Sequence, residues 1–67
     1  MNITFNNEII QLPNDYMTLQ DLAQWKQIPS QGSAIAINDK LIKHDKWSVT
    51  YLKDLDRVTV ITAAFGG

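Results

Sequence analysis

The stretch Ser33-Ala34-Ile35-Ala36-Ile37-Asn38 decides the fold class, because it is apolar at both alternating positions of a strand. Such a strand is expected at the centre of a sheet, with a helix on one face and partial cover on the other. Asn38-Asp39 predicts a tight turn, since both residues tolerate positive φ, and Lys40-Leu41-Ile42 then returns as a short strand. The middle of the chain therefore predicts a β-hairpin.

A second hairpin is predicted at the N-terminus. Residues 2–6 alternate polar and apolar side chains, Asn6-Asn7 suits a tight turn, and residues 8–12 form the returning strand. Pro13 ends that strand because it has no backbone donor. The positions expected on the core-facing side are Ile3, Phe5, Ile10 and Leu12, with Ile9 on the opposite face.

A helix is predicted between the two hairpins. Thr18 is the candidate N-cap, and Asp21, three residues later, forms a variant of the capping box. Pro29 is expected to stop the helix. The side chains that share the buried helix face by spacing are Leu19, Leu22 and Ala23.

Residues 57–63 predict the last strand, because they are rich in β-branched side chains. We expect this strand beside the first one and parallel to it, with the helix in a right-handed crossover. Residues 43–53 are expected to be irregular and anchored by Trp47 and Leu52. The element order predicts an α+β fold with a mixed four- to five-stranded sheet packed on one main helix. Residues 1–67 form one domain in this interpretation, with a flexible tail at about 64–67.

Composition limits the classes of function. The chain has 67 residues, no cysteine and a net charge of -1. A core of this size stabilises by only about 3–5 kcal/mol, which leaves little room for a catalytic cavity. The basic residues are scattered, so no nucleic-acid footprint is visible, and no apolar run approaches the roughly 20 residues of a membrane span. The N-terminus lacks the pattern of a signal peptide, so a cytoplasmic protein without intrinsic catalysis is expected.

Gly66-Gly67 is the sequence feature that points to chemistry. Without Cβ atoms, such a tail can extend into a narrow channel of a partner enzyme. The reactive group would be the α-carboxylate of Gly67, a poor electrophile until adenylation provides AMP as a leaving group. A sulfur nucleophile then yields a thiocarboxylate, and an amine yields an amide. The alternative interpretation is a frayed chain end without a function.

Several segments of the chain resemble those of one known family. The Ala-Ile-Ala-Ile-Asn segment, Trp47 and the terminal glycines also follow one another in the family's order. These segments are Met1–Asn6, Thr18–Leu22, Ala34–Asn38, Ile42, Trp47, Asp54, Asp56, Val58 and Gly66-Gly67. On these residues the whole chain resembles the thiamine-biosynthesis sulfur carrier (ThiS) family, which has the ubiquitin-like β-grasp fold.

The resemblance implies three partners. An E1-like adenylyltransferase of the ThiF type would use ATP to adenylate Gly67, a sulfur donor protein would supply the sulfur, and a thiazole synthase of the ThiG type would consume the thiocarboxylate. The chain itself would bind no cofactor. Gly66 would keep the tail slender. Phe65 is bulkier than the small residue usual at that place, and it is either an anchor in the partner's groove or packed back on the sheet.

Another departure from the family concerns Leu55, which stands where the family usually has glycine between two aspartates. If that position requires positive φ, leucine would be strained there by roughly 1–2 kcal/mol. The sheet face opposite the helix carries Ile9, Leu41 and Ile61, which either form a partner surface or are covered by the Trp47 loop. His44, the only histidine, is expected to be exposed rather than a metal ligand or a catalytic base.

Two other functions stay open at this point. One keeps the fold but changes the pathway: the small subunit of molybdopterin synthase, or another ubiquitin-like sulfur carrier or modifier. The other is a non-catalytic β-grasp interaction module in which the glycine pair is incidental.

Overall fold

The structure is a computed structural model that describes residues 1–62. The strands and the helix follow the order that the sequence predicts; the strand boundaries differ by at most one residue, whereas the helix ends earlier and a 3₁₀ helix is added. The elements are β1 (Asn2–Phe5), β2 (Glu8–Gln11), α1 (Leu19–Trp25), β3 (Ser33–Ile37), β4 (Lys40–Ile42), a 3₁₀ helix (His44–Val49) and β5 (Arg57–Thr62).

One sheet contains all five strands, in the order β2-β1-β5-β3-β4. β1 and β5 pair in parallel, whereas the other neighbours are antiparallel. The last strand therefore lies at the centre beside the first, and the helix lies within the crossover between them. The predicted α+β architecture, a mixed sheet packed on one main helix, is confirmed.

Both hairpins turn through two residues in the left-handed region. Asn6 and Asn7 have φ values of 47° and 70°, and Asn38 and Asp39 have values of 51° and 69°. Positive φ at both central residues is the geometry of a type I′ turn, whose twist matches that of the flanking strands. The two asparagine-rich turn predictions are confirmed.

The helix begins as predicted and ends earlier. Thr18 caps it, and Thr18 and Asp21 exchange side-chain-to-backbone hydrogen bonds of 3.1 Å in both directions. The prediction that Pro29 stops the helix was wrong, because α1 ends at Trp25 and Gln27 turns left-handed at φ 56°. The Ile28 N–H then donates to the Ala23 carbonyl at 2.8 Å, which closes a Schellman-type end without a glycine.

Trp47 is the largest fully buried side chain and fills the space between the sheet and α1. Its indole N–H donates to the Ile42 carbonyl at 3.1 Å, so the buried ring leaves no polar atom unpaired. The predicted anchors Trp47 and Leu52 are both buried, although residues 44–49 form a 3₁₀ helix rather than an irregular loop. The core consists of Ile3, Leu12, Met17, Leu19, Leu22, Ala23, Ile35, Trp47, Leu52 and Val58.

Leu55 has a φ of 70°, so the positive φ under which strain was expected at this position is present. The turn around it joins β5 to the start of β1, because the Leu55 N–H donates to the Asn2 carbonyl at 2.6 Å. Asp54 accepts from the Asn2 N–H at 2.9 Å, and Asp56 accepts from the Lys53 N–H at 2.8 Å. Both aspartates are therefore turn formers, as expected, and the leucine between them carries the strain of its Cβ.

We predict that Leu55→Gly raises the free energy of unfolding by about 1 kcal/mol, since glycine adopts positive φ without a Cβ clash. For a domain of this size, the melting temperature should rise by about 4–8 °C. Leu55→Ala is the matched control, because it keeps the Cβ and should change stability by less than about 0.5 kcal/mol. A glycine variant that melts at or below the wild-type temperature contradicts the strain.

Candidate functional site

The residues that the sequence marks for chemistry follow directly after the last strand. Gly66, Gly67 and Phe65, together with the predicted flexible tail at 64–67, lie outside the described residues. The last described element before them is β5, which ends at Thr62. Contacts with β1 on one side and with the β3–β4 hairpin on the other hold this strand in place.

On one side, β5 is held by a short seam with β1. Two residue pairs are in parallel register, Thr4 with Arg57 and Phe5 with Val58. The side chain of Asn6 extends the seam, because its Oδ1 accepts the Val60 N–H at 2.7 Å. Asn6 thus both turns the first hairpin and pairs a backbone donor of β5 beyond the end of β1.

On the other side, Asn38 plays the corresponding part. Its Oδ1 accepts the Arg57 N–H at 2.9 Å, and its Nδ2 donates to Asp56 Oδ1 at 3.0 Å. Asp39 forms an ion pair with the Arg57 guanidinium. The start of β5 is therefore fastened to the β3–β4 turn. The sequence predicts Asn6 and Asn38 as turn residues, but it carries no signal for these contacts to β5.

The end of β5 has a strand neighbour on one side only among the described residues. β3 accompanies it as far as Thr62, which pairs with Ser33, whereas β1 ends at Phe5. The Val60 N–H faces Asn6, away from β3, and backbone groups two residues apart on a strand face the same side. The N–H of Thr62 therefore faces the side of β5 on which β1 has already ended.

The face of the sheet opposite α1 carries the predicted partner-surface residues. Ile9, Leu41 and Ile61 are 80%, 66% and 64% exposed, and the strand register places all three on this outer face. The alternative, that the Trp47 loop covers them, was wrong, because Trp47 packs against the helix side. The side chains between them on this face are Thr4, Ala34, Ala36 and Thr59, which are small, and Arg57, which pairs with Thr4 in register.

No enzyme-like constellation is found within residues 1–62. His44 is exposed and packs edge-on against Trp47, with ring centres 4.7 Å apart. No group of three metal-ligating side chains lies close together in this range. Nor does this part of the chain contain a helix with the length and apolar character needed to cross a bilayer. Trp25, the last residue of α1, is 46% exposed.

The strand order, the single main helix and the strand that leads to a glycine pair define a small ubiquitin-like β-grasp protein. Among solved structures, the crystal structure of the thiamine biosynthesis protein (ThiS) from Geobacter metallireducens is similar, with a TM-score of 0.85 and 19% identity over 100% of both chains. The solution structure of a thiamine biosynthesis protein from the same organism has a TM-score of 0.83 at 19% identity, covering 100% of this chain and 88% of that one. At this identity the likeness shows the fold.

The sequence profile of the ThiS family matches residues 3–67, and the chain belongs to the ThiS family. Its members are small sulfur carrier proteins that work with partner enzymes in thiamine biosynthesis. No curated protein sequence matches the chain.

We predict that Asn6→Gly loosens the end of β5 without disrupting the turn, since glycine keeps the positive φ but removes the acceptor for the Val60 N–H. One lost hydrogen bond of about 1 kcal/mol should speed amide exchange at Val60 by roughly 5-fold. Asn6→Asp, which keeps an acceptor oxygen and tolerates positive φ, should exchange as the wild type does. Unchanged exchange at Val60 in Asn6→Gly would show that the side chain does not hold the strand.

Proposed function

We propose that this protein carries sulfur for thiazole formation as a thiocarboxylate on Gly67. Membership of the ThiS family over residues 3–67 is the observation that supports this function most directly. That membership also favours the thiamine pathway over molybdopterin synthesis, and a carrier over an interaction module with an incidental glycine pair.

The proposed chemistry begins at the α-carboxylate of Gly67. One carboxylate oxygen attacks the α-phosphorus of ATP in an E1-like adenylyltransferase, the bond to the β-phosphate oxygen breaks, and pyrophosphate leaves. A hydrosulfide then attacks the carbonyl carbon, and AMP leaves with the bonding electron pair. If the sulfur arrives on a donor protein's persulfide, a thiol is also required to reduce the acyl disulfide. The thiocarboxylate finally delivers its sulfur to thiazole synthase.

The described residues support a proposal in which this chain presents the tail and the partner enzymes carry out the chemistry. The chain supplies a firmly held strand, β5, fastened by Asn6 on one side and Asn38 on the other. Within residues 1–62, His44 makes no hydrogen bond to a serine, and the two carboxylates that share a cleft, Asp15 and Asp54, are already paired with the N-terminal amine and the Asn2 N–H. The partner enzymes therefore provide the nucleotide, the base and the sulfur. In this proposal Gly66 keeps the approach slender, and Phe65 anchors the tail in the partner's groove.

We predict that the wild-type protein, incubated with the adenylyltransferase, ATP and a sulfide source, gains the mass of one oxygen exchanged for one sulfur. The measurement is intact-mass spectrometry. A variant with Gly67 deleted should show no such gain, because its terminal carboxylate stops one residue short of the partner's reaction centre. Its amide spectrum over residues 1–62 should stay unchanged, which shows that the fold persists. Sulfur uptake by the deletion variant would contradict the assignment of Gly67.

We further propose that the outer face, with Ile9, Leu41 and Ile61, docks on the adenylyltransferase. Leu41→Lys should raise the KM for the carrier about 10-fold, because an exposed apolar contact is lost and a charge is brought to the interface. The matched control is Val49→Lys, since Val49 is equally exposed at 66% but lies on the 3₁₀ helix. Equal KM values for the two variants would remove the outer face from the interface.

A further inference from the structure

A cleft of about 290 Å³ lies beside the edge strand β4. One wall is β4 itself, with Lys40 and Ile42, and the other is the segment after the 3₁₀ helix, with Tyr51 and Lys53. Ile42 and Ile37 are half-buried and make part of the lining apolar. We call it the basic cleft, because lysines from two separate segments of the chain line it.

Neighbouring carboxylates do not neutralise Lys40 and Lys53. Asp39 precedes Lys40 in the chain, but it pairs with the guanidinium of Arg57. Asp54 follows Lys53, but it lines a different cleft, the one that contains the N-terminal amine. Neither lysine forms an ion pair within residues 1–62.

Asp56 is the acidic residue that lines the basic cleft, and both of its oxygens already have donors. It is 8% exposed, its Oδ1 accepts from Asn38 Nδ2 at 3.0 Å, and its Oδ2 accepts from the Lys53 N–H at 2.8 Å. The two ammonium groups therefore outnumber this carboxylate, and the cleft carries a surplus of positive charge. Tyr51, which is 63% exposed, adds a hydroxyl that can donate a hydrogen bond.

An acidic side chain of a partner protein complements this lining. Sites for small molecules are usually enclosed and have volumes of about 300–1,000 Å³, whereas the basic cleft is smaller and open to solvent. Ammonium groups and a hydroxyl form charge-assisted hydrogen bonds with a carboxylate. The apolar part of the lining can contact the methylene groups that carry such a carboxylate.

The basic cleft continues the outer face around the edge of the sheet. Leu41 lies between Lys40 and Ile42 on β4, and successive side chains of a strand point to opposite faces. Leu41 therefore belongs to the outer face, while its two neighbours on β4 line the cleft. Because β4 is the last strand in the sheet order, a partner that covers Leu41 can reach around this strand to Lys40.

We propose that the basic cleft receives an acidic side chain of the adenylyltransferase that docks on the outer face. This inference rests on the proposed function, because that enzyme is the proposed partner of Leu41. The contact contributes to the affinity and to the rate of association, since complementary charges steer the encounter of two proteins. It does not contribute to the chemical step at Gly67.

The test is steady-state adenylation with the carrier as the varied substrate, measured as pyrophosphate release at low and at high salt. The double variant Lys40→Gln with Lys53→Gln should raise KM about 10-fold at low salt with kcat unchanged, because both charges are lost. Its KM should depend on salt less than that of the wild type. Lys40→Arg with Lys53→Arg keeps both charges and should keep the KM of the wild type within about 2-fold.

The matched control is Lys43→Gln with Lys46→Gln, which removes two exposed lysines that do not line the cleft. Its KM should stay within about 2-fold of the wild type, because screening weakens the effect of charges away from the contact. An equal rise of KM in the control would show a general effect of net charge and would overturn the cleft contact. The amide spectra of all variants over residues 1–62 should show that the fold persists.

The remaining outcomes separate the two levels of the proposal. If the wild type is not adenylated at all, the proposed function fails together with the inference that rests on it. If the wild type is adenylated and the variant with glutamine at 40 and 53 has the wild-type KM, the proposed function stands and the cleft contact is overturned. Amide shifts at these two positions with inorganic phosphate, combined with an unchanged KM, would assign the cleft to a free anion instead. A lowered kcat at unchanged KM also contradicts a contact that acts in binding alone.

Discussion

The parallel seam between β1 and β5 is the constraint on which the rest of the sheet depends. It joins residues at opposite ends of the sequence, yet only Thr4–Arg57 and Phe5–Val58 pair in register. Without it, the N-terminal hairpin has no contact with the three strands β3, β4 and β5 in the sheet order. Val58, a fully buried side chain of the core, belongs to this seam. The pairing of β1 with β5 therefore also places a core side chain.

So short a seam is supplemented by contacts at both of its ends. At the start, Asn2 exchanges hydrogen bonds with the turn at residues 54–55, and at the end Asn6 bonds to Val58 through its backbone and to Val60 through its side chain. Most of these groups are exposed, so each hydrogen bond contributes about 0.5–1.5 kcal/mol. In a domain whose whole stability is small, these few bonds decide whether the sheet closes.

Local features of the fold could be predicted from the sequence, and contacts between distant segments could not. Alternating side chains, the asparagine turns and the Thr18–Asp21 capping box depend on neighbours within a few residues, so each is visible in the chain. The helix end was missed because Gln27 turns left-handed, a conformation that glycine or asparagine would have signalled. The bonds from Asn6 and Asn38 to β5 depend on where two hairpins come together. The exposure of Ile9 follows from alternation, whereas the position of the Trp47 loop required the structure.

In this domain, the side chains that stabilise the fold differ from the side chains that are exposed for binding. The core side chains face α1 and Trp47, whereas Ile9, Leu41 and Ile61 lie on the other face of the same strands and contribute little to the core. A carrier that passes from one enzyme to the next must be released each time. Its affinity for each enzyme therefore has to be high enough for binding and low enough for release. Three apolar side chains, spaced apart by small residues and by Arg57, fit that requirement because each adds a modest contact. Leu55 is the exception, since its backbone belongs to the seam while its side chain faces solvent. At that one position, the hydrogen bond that closes the seam is made although the backbone is strained and the leucine side chain is left in water.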